Sequence, residues 1–119
     1  MKINIKTSLK NKEGTHTFKG KAIKNKNIIT YKDENVLTKI KIDDIITIER
    51  NNEYKIIINL KKGIKLKGSY TTKYGNINTE TTAKEITKEK NTLKIVYDLT
   101  VNDEYIDTFS YYCEYSIDS

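Results

Sequence analysis

The stretch Gly63–Thr82, GIKLKGSYTTKYGNINTETT, constrains the fold more than any other part of the chain. Ile64, Leu66, Gly68, Tyr70 and Thr72 alternate with Lys65, Lys67, Ser69, Thr71 and Lys73. After Tyr74-Gly75-Asn76 the alternation resumes, with Ile77, Thr79, Thr81 and Ala83 set against Asn78, Glu80, Thr82 and Lys84. A period of two fits a strand, whose successive side chains leave on opposite faces, and does not fit a helix. The stretch predicts two long antiparallel strands around a tight turn, one face drier than the other.

The same period runs through the rest of the chain. Residues 2–9, 15–24, 27–34, 36–42, 45–50 and 53–61 precede the central stretch, and 92–101 and 105–117 follow it. Inward faces are expected to carry Ile3, Ile5, Thr7 and Leu9, then His16, Phe18, Gly20 and Ala22. Further along they carry Val36, Thr38, Ile40 and Ile42, then Leu93, Ile95, Tyr97, Leu99 and Val101, and finally Phe109, Tyr111, Cys113, Tyr115 and Ile117. Turns are expected at Asn-, Asp- and Gly-bearing positions, with Asn11, Gly14 and Asn25 suited to the left-handed backbone region. Only 85–91, EITKEKN, breaks the pattern; a polar loop or a short helical turn is expected there.

This reading gives an all-β chain of about eight to ten strands and no helix of substance. Short connections make consecutive strands pair antiparallel. Strands longer than the usual five or six residues favour an up-and-down β-barrel over a sandwich. Closure also removes edges on which such Ile-, Thr- and Tyr-rich strands would aggregate. With 119 residues, the chain makes one domain, residues 1–119.

Composition bounds partners and compartment. The formal charge of +6 is uneven. Residues 1–94 carry 22 bases against ten acids, and residues 95–119 carry six acids and no base. The first 32 residues hold nine Lys against Glu13 alone, a basic region that could contact RNA or an acidic protein, although a solvated Lys-rich face explains it as well. The start, MKINIKTSLK, is too charged for a secretory h-region, and no apolar run is long enough for a membrane helix. Cytoplasmic localisation is expected, with no membrane partner, and a monomer and a homodimer are equally compatible. The single cysteine, Cys113, lies among aromatics and reads as a small core residue.

Several segments resemble a small bacterial family typified by the YwiB protein. These are IITIERNN, GSYTTKYGNINTETTAKEI, TLKIVYDLTVNDE and GKAIKNKNIITYKDE, in the same order and spacing. The resemblance covers nearly the whole chain and implies a calycin-like, lipocalin-type β-barrel. It implies no activity. After Arg50 the family often has Gly where this chain has Asn51-Asn52, and Asn is the next best residue for a left-handed turn.

Chemistry-bearing motifs are sparse. One His and one Cys cannot build a His/Cys metal site, and no phosphate-binding or nucleophile-elbow motif occurs. No cofactor is expected, and an enzyme is the weakest class. His16 reads as a strand residue near a barrel end, and Asp43-Asp44 as turn formers. Arg50 stands out as the only Arg beside 21 Lys. Its planar fork suits bidentate pairing. It shares a face with Ile46 and Ile48, so either it is a structural anchor that pairs with a buried acid or closes the barrel bottom, or it grips an anionic ligand group. Tyr31, Tyr70, Tyr97 and Tyr111 are expected to face inward, either filling a core or lining a pocket. Two functions follow. One is a barrel that binds a small, partly apolar or anionic ligand at Arg50, Tyr70, Tyr97 and Tyr31. The other is an interaction protein using its basic outer face.

Overall fold

The structure, a computed structural model, describes residues 1–118. Ten strands run in chain order: β1 (Lys2–Asn11), β2 (Gly14–Asn25), β3 (Ile28–Asp33), β4 (Val36–Ile42), β5 (Ile46–Asn51), β6 (Lys55–Leu60), β7 (Lys65–Thr72), β8 (Gly75–Glu89), β9 (Thr92–Val101) and β10 (Glu104–Ile117). Each pairs antiparallel with the next, and β1 also pairs with β10, so the meander closes into a barrel of lipocalin type.

The segment 85–91 corrects the sequence reading. It is neither loop nor helical turn: β8 continues to Glu89, paired with β9 down to Thr92. A β-bulge between Ala83 and Glu85 accounts for the difference. One extra residue there reverses the inside–outside phase, so Ile86 rather than Glu85 points inward, and a simple count of alternation fails. A second bulge lies between Tyr105 and Asp107 on β10, after which Asp107 points inward and is buried.

The turns also differ in which residue takes the left-handed backbone. Gly14 does so at φ 140° as expected, but in the β2–β3 hairpin it is Lys26 (φ 55°), not Asn25. Asn102 and Asp103 both have positive φ, the two-residue turn whose twist matches the strands it joins. Asn51 and Asn52 do not. Asn52 instead accepts the Tyr54 amide on its side chain at 2.8 Å, so the turn after Arg50 is held by a side-chain cap.

The barrel is packed at one end and open at the other. The packed end holds the starts of the odd strands and the ends of the even ones: Ile3, Ile5, Ala22, Ile29, Ile40, Ile46, Leu60, Ala83, Leu93, Ile95 and Cys113 are buried there. The strand β6 closes that floor. Its ladder with β7 stops at Ile57–Ser69, and it then leans across to β8. Thr81 Oγ1 donates to the Asn59 carbonyl at 2.6 Å, and the Gly63 amide donates to the Ala83 carbonyl at 2.8 Å. Gly68 permits this lean, because a Cβ there would overlap the Ile57 carbonyl. The Asn59 amide donates to Lys67 O at 2.9 Å, so the seam keeps a link where the ladder ends.

The pairing also explains the charge asymmetry. Two of the six acids in the last 25 residues meet lysines brought by the neighbouring strands. Lys84 lies 3.5 Å from Asp98, and Lys21 lies 3.2 Å from Asp118.

Candidate functional site

The open half of the barrel encloses a cavity of about 360 Å³. One cross-barrel row builds much of its wall. Successive ladders place Tyr31 beside Thr38, Thr38 beside Arg50, Arg50 beside Ile56, Ile56 beside Tyr70 and Tyr70 beside Ile77. Paired residues in neighbouring strands share a face, so six strands present these six side chains to one space. Ile48 and Ile58 form the next row toward the floor. The opposite wall comes from β9, β10 and β1, through Tyr97, Leu99, Val101, Phe109, Tyr111, Leu9 and Thr7. All four residues singled out from sequence, Arg50, Tyr31, Tyr70 and Tyr97, therefore line the same cavity.

The aromatic members are stacked in pairs. Phe18 lies on Tyr31 and Phe109 on Tyr97, both with ring centroids 5.3 Å apart and planes 16° from parallel. Tyr54, on the β5–β6 turn, covers Tyr70 at 6.0 Å. Stacking of this kind holds the tyrosine hydroxyls in fixed positions.

Polar groups are few. Tyr31 and Tyr111 hydroxyls lie 2.9 Å apart and share a hydrogen bond. Burial raises the pKa of Tyr31, Tyr97 and Tyr111, and the nearby Arg50 charge partly opposes this at Tyr31 and Tyr97. These phenols are neutral donors at physiological pH. The Cys113 thiol is pushed up to about 12, chiefly by burial, and is chemically quiet.

Arg50 forms no ion pair and no side-chain hydrogen bond among the described residues. The buried acid of the anchor reading is thus not at its side. Thr38, its neighbour in the ladder, is 2% exposed, and its hydroxyl has no partner; Thr79, 6% exposed, is in the same position. Both line the cavity. Buried hydroxyls normally find a partner, and neither of these oxygens has surface open to the cavity.

At the rim, His16 Nε2 lies 2.7 Å from Asp33 Oδ2, where β2 has already left its ladder with β3. The His16 side chain is 51% exposed and that of Asp33 only 10%, so the histidine covers the carboxylate from the solvent side. The sequence places His16 near a barrel end, as found, but gives no sign of its partner. Asp33 was detectable as the acid that continues the inward phase of Ile29 and Tyr31, and Thr38 as a hydroxyl in phase with Ile40.

The lysines of the first 32 residues fall mainly on the outer face of β1 and β2. Lys6 and Lys19 face each other on the outer surface, with Glu114 opposite Lys6 on the other side. Lys12 instead lies at the open end, its side chain reaching Ile106 O at 3.3 Å. No His, Cys, Asp or Glu cluster suited to a metal occurs among the described residues, and no helix is long and apolar enough to cross a membrane.

Comparison with known proteins places the fold in context. No curated protein matches the chain. The crystal structure of the ywiB protein from Bacillus subtilis is similar, with a TM-score of 0.57 over 98% of this chain and 91% of that one, at 12% identity. That likeness is one of fold. The family model described as Domain of unknown function (DUF1934) matches residues 2–112, and the chain belongs to that family.

Proposed function

We propose that this protein binds a small, partly apolar ligand inside the open half of its barrel, with Arg50, Tyr31, Tyr70 and Tyr97 contacting it. The observation that carries the reading is Arg50, the one permanent cation on a largely apolar cavity wall, which has no protein partner among the described residues. Arg50 is half-buried, and a ligand group that pairs with its planar fork gains charge-assisted hydrogen bonds there. The volume falls within the range of small-molecule sites. Binding without catalysis suits a site whose hydroxyls are held neutral and whose one His–Asp pair sits at the rim. A cytoplasmic setting suits the buried free thiol of Cys113.

Native mass spectrometry of the protein, purified without denaturation, tests this. A small-molecule adduct is expected, and it should be lost in Leu99→Trp, which fills the cavity. A bare protein mass, with no adduct restored by incubation with host extract, would refute the proposal. The outer-face reading has less support, because Glu114 and Asp118 interrupt the lysines of β1 and β2.

A further inference from the structure

We infer that the ligand carries a single negative charge, a carboxylate on an apolar body of about a dozen non-hydrogen atoms in all, seated by Arg50. This rests on the cavity reading above and narrows it.

The charge count comes first. His16 and Asp33 also line the cavity and are bonded to each other at 2.7 Å, so the Asp33 carboxylate is engaged away from Arg50. Arg50 is the one Lys or Arg on the cavity wall, and it has no ion-pair partner among the described residues. One fixed positive charge in apolar surroundings balances one negative charge. A phosphate monoester carries about −1.5 to −2 at neutral pH, and its surplus would be buried uncompensated.

The donor geometry points the same way. Arg50 offers a planar fork that matches the two oxygens of a carboxylate. Thr38 stands beside it in the β4–β5 ladder, its hydroxyl closed off from the cavity, so the fork itself is the donor set. Tyr31 flanks Thr38 on the other side. An ester or an alcohol would engage these donors without neutralising the guanidinium.

Size follows from the volume. At roughly 30 Å³ for each water-sized group, 360 Å³ holds about twelve such groups. The remaining wall, with Leu99, Val101, Ile56, Ile58 and Phe109, is apolar and asks for a hydrocarbon body.

Decanoate, its methyl ester and decyl phosphate, titrated calorimetrically into the full-length protein, test the inference. Decanoate is expected to bind roughly ten- to a hundredfold more tightly than the ester, the usual worth of a charged hydrogen bond. Arg50→Gln should bring decanoate binding down toward that of the ester, and Arg50→Lys should retain part of the preference. Circular dichroism confirms that each variant is folded. Equal binding of decanoate and ester, preference for the phosphate, or an Arg50→Gln variant that keeps the preference would overturn the carboxylate inference and leave the cavity reading standing. If none of the three compounds binds, both are refuted.

Discussion

Two threonines with the same burial should respond in opposite directions to the same substitution. Thr38 and Thr81 are each 2% exposed. The Thr38 hydroxyl has no partner, whereas Thr81 Oγ1 donates to the Asn59 carbonyl at 2.6 Å. Valine keeps the shape and removes only the hydroxyl. For Thr38→Val the change deletes a buried group whose desolvation is not compensated, a cost of about 1–3 kcal/mol. The ligand-free variant should gain roughly 1 kcal/mol, or a few degrees in Tm for a domain of this size. For Thr81→Val the change breaks a made bond and orphans the Asn59 carbonyl, where β6 crosses to β8. A loss of about 1–2 kcal/mol is expected. Urea denaturation of ligand-free protein, followed by circular dichroism, measures both. If Thr38→Val lost stability, its hydroxyl would have to be bonded in the empty barrel.

The other predictions follow from the same geometry. Ile40→Ala, at the packed end, should cost about 2–5 kcal/mol in urea denaturation, whereas Ile56→Ala, on the cavity wall, should cost less than half of the Ile40 value because space already lies beside it. Gly68→Ala should cost at least about 1–3 kcal/mol by the same assay, since its Cβ would meet the Ile57 backbone; an unchanged midpoint would mean the β6–β7 seam is not tight. Stability should fall as pH rises above about 9. Cys113, Tyr31, Tyr97 and Tyr111 all have folded pKa values raised by burial. Above that pH the unfolded chain releases these protons first, so the stabilisation present below it is lost as pH climbs toward the folded values, near 12 for Cys113. A flat profile of urea midpoints between pH 8 and 11, values set for the assay about the Cys and Tyr reference range, would contradict this.

Much of the architecture is legible in the residues. Period-two alternation with short turns leads directly to the antiparallel meander, and the inward phases of β1, β4, β9 and most of β10 match the buried residues. The reading fails at Lys84 because a bulge is a local defect in the ladder, and one polar residue out of phase looks the same as a loop. Arg50 is conspicuous in the sequence as the only Arg, and Tyr31, Tyr70 and Tyr97 by their phase. Their meeting on one cavity is a property of register across six ladders, which no single strand encodes. The His16–Asp33 contact depends on where β2 and β3 separate, and the unpartnered state of Thr38 depends on what does not reach it. Neither is written locally. The same holds for the lysines of residues 1–32, which are contiguous in sequence but distributed over the outer wall and the open end.

The central claim is that one half of the barrel is a receptor and the other a floor. Isoleucine methyl NMR during a decanoate titration tests it most directly, because isoleucines occur in both halves. The methyl signals of Ile48, Ile56, Ile58 and Ile77 should shift and saturate together, while those of Ile3, Ile5, Ile40 and Ile46 stay in place. Shifts confined to the outward-facing Ile23 and Ile64, or spread evenly over both halves, would contradict the account.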